Sequence, residues 1–179
     1  MMLSHRPGPP IIVGIRGIMV VHSHLWHMVI HAPIVLVATA LSRLHADQRQ
    51  SGGKIVGLVT YTNSMKHALL AVSTDLLNRE GAVHPDVALA MAGGVRQTTG
   101  ASVSLATTGV AGPGPADGHP AGRAYIAVLS PEFTAVREVN CDPGDQGASQ
   151  RNAIRRCVVY EAVALLAEAL AVPNREKQM

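Results

Sequence analysis

The sequence predicts an α/β fold, a three-layer α/β/α sandwich with a mixed, mostly parallel sheet. Segments with the β-branched content of strands alternate with helical segments over most of the chain. The composition is 47% hydrophobic but only 3% aromatic, so Ala, Val, Leu and Ile must build the core. Small and branched side chains of this kind suit a sheet with helices packed on its faces. With 179 residues, the chain is long enough for one domain with its own core.

The N-terminal segment, residues 1–35, differs in composition from the rest of the chain. His, Arg, Gly and Pro dominate Met1–Pro10, which predicts poor order there. Ile11–Val21 has the β-branched content of a strand, although two glycines weaken it. We therefore divide the chain into this segment and a domain over residues 36–179. The sequence leaves open whether residues 1–35 fold.

The elements of the domain alternate in type, and their boundaries carry capping residues. Ser, Thr, Asp and Asn at helix starts and Gly at helix ends are the usual boundary signals. The last two predicted strands are separated by a short turn, so we expect them to be antiparallel neighbours that make the sheet mixed. In chain order we predict a helix over Leu36–Leu44, a strand over Lys54–Tyr61, a helix capped by Asn63 or Ser64 and running to about Leu70, helices from Ser73 to Gly81 and from His84 to Gly100, strands over Ser102–Thr108, Arg123–Leu129 and Phe133–Val139, and a last helix over Gln150–Ala171.

The charge pattern predicts no nucleic-acid partner. The formal net charge is +3, but Lys and Arg are scattered along the chain and form no run. An ordinary solvated surface accounts for this pattern, and a mild positive balance would also suit a phosphorylated small molecule.

The apolar N-terminal region predicts neither a membrane span nor a metal site. His22, His24, His27 and His31 interrupt it and Pro33 breaks it again, whereas a span needs about twenty uninterrupted apolar residues. The last three of these histidines have spacings that could share a helix face, but no carboxylate or cysteine accompanies them. We therefore expect no metal and no cofactor.

The two cysteines, Cys141 and Cys157, form no CxxC pair and have no metal-ligand spacing around them. We expect a cytoplasmic protein with both thiols reduced and with Cys157 as a small core residue on the last helix.

Three segments could carry chemistry. Lys66 follows the strand that ends at Tyr61 and lies near a helix N-terminus, where burial and the helix dipole would lower its pKa toward that of a usable base. A surface lysine after a loop is the simpler alternative. The other two segments are a glycine-rich loop after a strand, which includes Thr107, Thr108, Gly109 and Gly112, and the start of the last helix at Arg151.

The glycine-rich loop and the helix start could together hold an anion. Glycines let backbone N–H groups approach a phosphate or a developing oxyanion, and threonine hydroxyls add donors. Arg151 could contact an anionic ligand with two hydrogen bonds. The alternatives are a tight strand-exit turn and a solvated helix start.

These segments occur together and in one order that resembles a known family. The segment Gly57–Asn63, followed by Lys66, is similar to the GGVVTYSNxxK segment of the CinA C-terminal domain family. Ala106–Pro113 resembles the TGIAGP loop of that family, and Arg151–Arg155 is similar to the RxxIR start of its last helix. The resemblance covers about two-thirds of the chain, from about residue 51 to the C-terminus.

The resemblance implies hydrolysis of nicotinamide mononucleotide to nicotinate mononucleotide and ammonia, without a metal. It implies that Lys66 is the base that activates a serine nucleophile and that Tyr61 orients or relays the proton. It further implies that Thr107, Thr108, Gly109 and Gly112 line the nucleotide site. Arg151 would be a phosphate ligand, and family members commonly self-associate.

The chain departs from the family at the nucleophile. The serine belongs to an ESxTGG motif that should precede the helix beginning at Leu36, but Ile30–Val35 there contain no serine, acid or glycine. Three explanations stay open: a shifted reading frame, an inactive relative, or another serine, such as Ser42, Ser51 or Ser64. The sequence thus predicts an amidohydrolase-family protein whose activity is in question. The alternative is an inactive nucleotide-binding or assembly module with the same fold.

Overall fold

The structure of this chain, a computed structural model, describes residues 13–16, 19–23, 54–142 and 150–171, with side chains over 57–142 and 150–171. The predicted helix over Leu36–Leu44 lies outside the described residues. The strands are β1 (Val13–Arg16), β2 (Met19–Ser23), β3 (Lys54–Val59), β4 (Ser104–Gly109), β5 (Arg123–Leu129) and β6 (Thr134–Asn140). The helices are α1 (Asn63–Leu70), α2 (Thr74–Glu80), α3 (Pro85–Thr99) and α4 (Gln150–Ala171).

The six described strands form one mixed sheet in the order β1-β3-β2-β4-β5-β6. Strand β2 is parallel to both β3 and β4. The other three pairings, β1 with β3, β4 with β5 and β5 with β6, are antiparallel. The mixed sheet is confirmed for these strands, but the prediction that it is mostly parallel is wrong.

The connections explain why antiparallel pairs prevail. A parallel pair needs a crossover, usually through a helix, whereas an antiparallel pair can be joined by a turn or a loop. Residues 110–122, between β4 and β5, contain no helix, and β5 returns through a short turn to β6. In that turn the Ser130 amide donates to the Phe133 carbonyl at 2.7 Å.

The side chains of β4 and β5 alternate between two cores, as expected for successive residues of a strand. Ala106, Tyr125 and Ala127 pack with α1, α2 and α3 on one face. Leu105, Ile126 and Val128 pack with α4 on the other face. Helices therefore cover both faces of this half of the sheet. For the half formed by β1, β2 and β3, the three-layer arrangement stays a prediction.

Helices α1 and α3 cross closely because Gly94 has no side chain. A Cβ atom at this position would overlap the carbonyl oxygen of Leu70, the last residue of α1. Leu70 itself is buried, together with Val95 of α3. This crossing fixes α1, and with it the position of Lys66, against the core that α1, α2 and α3 form with the sheet.

The expectation of reduced cysteines is wrong. Cys141, just after β6, and Cys157, in α4, form a disulfide across sixteen residues of sequence. Both residues belong to the core on the α4 face. The sequence offers no CxxC spacing, and the pair meets only because α4 packs back over the end of β6.

Candidate functional site

Lys66 is the most unusual side chain in the described part of the chain. It is 0% exposed, and its Nζ has no hydrogen-bond partner among the described residues. Burial lowers the pKa of Lys66 from 10.5 to about 8, an effect that the negative charge of Asp117 partly offsets. The alternative of a surface lysine is therefore wrong. A buried amine with a pKa near neutrality is partly uncharged and can accept a proton.

Thr62 rather than Asn63 or Ser64 caps the helix that carries Lys66. Its Oγ1 accepts a hydrogen bond from the amide of Met65 at 3.2 Å. The Lys66 amide donates to the Thr62 carbonyl at 3.0 Å, which closes the first turn. The cap begins α1 directly after β3, so Lys66 lies close to the carboxyl end of that strand.

The glycine-rich loop and α4 together line a cavity of about 250 Å³. Arg151, in the first turn of α4, donates from Nη1 to the carbonyl of Gly112 at 2.9 Å. Gly112 has φ 76°, a left-handed conformation that favours glycine. The described lining residues are Val83, the loop from Gly109 to Asp117, and Arg151.

The two threonines of β4 lie on opposite faces of the sheet, because successive strand residues alternate. Thr108 shares the α3 face with Ala106, and its hydroxyl donates to the carbonyl of Ala82 at 2.6 Å. Thr107 shares the α4 face with Leu105. Both are buried, and neither is among the described lining residues of the cavity.

The structure brings together only some of the residues that the sequence singled out. Gly109, Gly112 and Arg151 share the cavity, and Lys66 is linked to it through the charge of Asp117. Tyr61 is 37% exposed and does not line the cavity.

One lining residue of the cavity, Asp117, was missed by the sequence analysis as a candidate. Asp117 lines the cavity and acts electrostatically on Lys66. Its sequence signal was weak, an Asp-Gly turn pair after the Gly/Pro loop. Arg155, one turn beyond Arg151, is buried, and its pKa is lowered to about 10 by burial and by the charge of Arg151. The two arginines make the start of α4 strongly cationic.

Comparison with known proteins identifies the family of this chain. The family model of the CinA C-terminal domain matches residues 52–170. The chain belongs to the CinA family. It is 43% identical over 121 residues to a CinA-like protein of Frankia casuarinae, a match that covers 67% of this chain. That match covers only 27% of the relative, so the chain spans little more than a quarter of that protein.

Solved CinA structures share the fold. The crystal structure of a competence/damage inducible protein from Agrobacterium tumefaciens matches with a TM-score of 0.63 and 30% identity, over 85% of each chain. A competence-damaged protein (CinA) superfamily protein from Enterobacter cloacae matches with a TM-score of 0.65 and 26% identity, over 87% of this chain and 83% of that one.

Of the three serines named above as alternative nucleophiles, the structure describes only Ser64. Ile30–Val35, together with Ser42 and Ser51, lie outside the described residues. Ser64 is exposed, and its Oγ lies 2.7 Å from Thr62 Oγ1. It precedes Lys66 by two positions, and residues so spaced on a helix do not face each other. Ser64 is therefore badly placed to exchange a proton with Lys66.

The described residues contain no group of three or more His, Cys, Asp or Glu side chains that could hold a metal ion. His24, His27 and His31 are outside them. Among the described helices, none combines the length and the apolar character that crossing a bilayer requires.

Proposed function

We propose that this CinA domain is an amidohydrolase acting on nicotinamide mononucleotide, which it converts with water to nicotinate mononucleotide and ammonia. The observation that carries the proposal is the burial of Lys66, whose amine has no described hydrogen-bond partner and a pKa of about 8. A buried, unpaired lysine destabilises a fold, so a role in proton transfer gives a reason for its presence. The residue stands where the family resemblance places the base.

The chemistry requires Lys66 to act as a neutral amine. It would take a proton from the attacking hydroxyl or water and return it to the leaving nitrogen, so that ammonia departs. The neutral form becomes more abundant as pH rises toward and past 8. We therefore expect the rate to rise with pH across the range from about 6 to 8 and then to level off.

The cavity would bind part of the nucleotide. Its volume of about 250 Å³ is slightly below the range of roughly 300–1,000 Å³ that is usual for small-molecule sites. Arg151 would bind the phosphate, and the backbone of Gly109 and Gly112 allows close approach of the ligand. In the same proposal, Thr107 and Thr108 shape the site from β4, and Tyr61 orients or relays the proton. The domain would be a homo-oligomeric three-layer α/β/α sandwich.

The second candidate is a nucleotide-binding or assembly module without catalysis. It is favoured by one observation, the absence of any serine from Ile30–Val35, where the family motif would supply the nucleophile. Loss of a nucleophile from such a site commonly lowers rates by several orders of magnitude. Under this candidate the cavity binds the nucleotide and Lys66 has no substrate proton to remove.

Ammonia release separates the two candidates. We would incubate the protein with nicotinamide mononucleotide, measure ammonia, and measure nucleotide binding by calorimetry on the same samples. Release that Lys66→Ala abolishes and that the surface change Arg137→Ala leaves intact supports the amidohydrolase. Binding without release supports the module, and neither binding nor release would overturn both candidates.

A further inference from the structure

The cavity beside α4 carries one charge of each sign. Among its described lining residues, Arg151 is the only cation and Asp117 the only anion, and the others are small or apolar and uncharged. Arg151 lies at the start of α4, and Asp117 lies at the far end of the loop that begins at Gly109. A ligand in this cavity therefore meets opposite charges from two different elements.

Hydrogen bonds to or between backbone groups position the Arg151 guanidinium and the backbone of Asp117. Arg151 donates to the Gly112 carbonyl at 2.9 Å. Asp117 belongs to a tight turn in which Ala116 and His119 exchange two backbone hydrogen bonds, of 3.1 and 2.9 Å. Its φ of 52° is unusual for a residue other than glycine. The turn fixes the position of the Asp117 backbone, and the cation at Arg151 is tied to the same loop.

We propose that Asp117 is a specificity-determining residue that makes the cavity select nucleotides with a cationic ring. The phosphate would lie at Arg151, and the positively charged pyridinium ring would lie on the side of Asp117. This inference rests on the proposed function, because it names which chemical feature of the nucleotide this site distinguishes. The selected ligand class is a zwitterion with one anionic and one cationic end.

Lys66 gives the charge of Asp117 a second consequence. Asp117 is the described group whose charge stabilises protonated Lys66. A cationic ring beside Asp117 would repel the protonated amine of Lys66. It would also neutralise the Asp117 carboxylate, whose negative charge stabilises that protonated amine. The bound substrate would then favour the neutral amine that proton abstraction needs. A neutral ring in the same place would not have this effect.

The test compares two ligands of nearly identical shape. Nicotinamide mononucleotide has a cationic pyridinium ring, and its reduced form has an uncharged dihydropyridine ring. Their dissociation constants would be measured by calorimetry for the wild type, Asp117→Asn and Arg151→Met. Because Asp117 is exposed, one charge pair should favour the oxidised form by only about 1.5-fold to fivefold in the wild type.

Each variant has its own expected result. Asp117→Asn should bring the two dissociation constants together, while Arg151→Met should weaken both forms by a similar factor and preserve their ratio. Thermal melting of each variant shows whether it folds. If Asp117→Asn does not fold, the wild-type ratio still tests the proposal, since it should fall toward one as salt is raised.

Equal binding of the two forms by the wild type, or an unchanged ratio in Asp117→Asn, would overturn the inference whether or not ammonia is released. Discrimination without ammonia release would support the inference and count against the amidohydrolase. Failure of the wild type to bind either nucleotide would overturn both.

Discussion

Two positively charged side chains, one on α1 and one on the surface between β6 and α4, have opposite surroundings. On α1, Lys66 is fully buried, and its Nζ has no hydrogen-bond partner among the described residues. On β6, Arg137 is partly exposed and donates from Nη2 to both carboxylate oxygens of Glu168, at 2.7 and 2.9 Å. Its Nη1 lies 3.6 Å from Glu161.

The pKa values record this difference. Burial lowers the pKa of Lys66 to about 8. The hydrogen bond to Glu168 raises the pKa of Arg137. A charge that serves only the fold is expected at the surface with carboxylate partners, as at Arg137. A charge kept in the core without partners lowers stability, and such groups concentrate at functional sites.

The largest expected effect comes from replacing Lys66 with methionine, which keeps the length of the side chain and removes its charge. If Lys66 is the base, ammonia release should fall by about 10²- to 10⁴-fold. The same change should raise the free energy of unfolding near pH 7 by up to about 3 kcal/mol, because the buried amine disappears. Kinetics and denaturant unfolding on one preparation measure both effects.

The pH dependence of stability sharpens this comparison. In wild type the pKa of Lys66 is lower in the folded chain than the ordinary value of 10.5, so between about pH 8 and 10.5 the unfolded chain binds more protons. The contribution of Lys66 should therefore make the wild type more stable as pH rises through this window. Lys66→Met should lose that rise, and a variant less stable than wild type at every pH would contradict this account of the site.

A smaller effect is expected where α1 crosses α3. Gly94→Ala should lower the free energy of unfolding by about 1–3 kcal/mol, because the new Cβ atom overlaps the Leu70 carbonyl. The neighbouring Gly93→Ala is the matched control, since nothing lies within 4 Å of a Cβ there. Alanine at this helical position should stabilise the chain by about 0.5–1 kcal/mol. Equal denaturation midpoints for the two variants would show that the crossing is looser than described.

The smallest effect is expected at the surface. Arg137→Ala should lower the free energy of unfolding by less than about 1 kcal/mol, since ion pairs in contact with water are screened and cost side-chain entropy. The loss should shrink further when unfolding is repeated at high salt. A loss as large as that of Gly94→Ala would mean that the β6–α4 ion pairs matter more than exposed pairs usually do.

Most elements of the domain could be predicted because their signals are local. The last helix spans Gln150–Ala171 as expected, and Gly81 and Gly100 end α2 and α3. The cap of α1 was misplaced by one or two residues, because Thr62, Asn63 and Ser64 are all good capping residues and only the turn geometry chooses among them. The parallel character of the sheet was overestimated, because strand direction depends on connections rather than on strand composition.

Less of the site could be predicted. The segments around Lys66, the glycine-rich loop and Arg151 stood out by their order along the chain, and Gly112 and Arg151 do meet. Asp117 did not stand out, because an aspartate before a glycine is an ordinary turn residue. Its importance comes from lying in the cavity and within electrostatic range of Lys66, which are distances in space that sequence separation does not encode.

The amino-acid sequence by itself determined the strands and helices from Lys54 onward and the family, since these depend on local composition, capping and ordered motifs. The single strand predicted over Ile11–Val21 is instead two strands, β1 and β2. Tertiary structure alone decided that Lys66 is buried, that Cys141 joins Cys157, and that Arg151 and Asp117 share a cavity. The physical reason is that burial, disulfide formation and electrostatic interaction depend on which distant segments pack together. The disulfide and the shared cavity each bring together residues that are far apart in the sequence and that no local pattern relates.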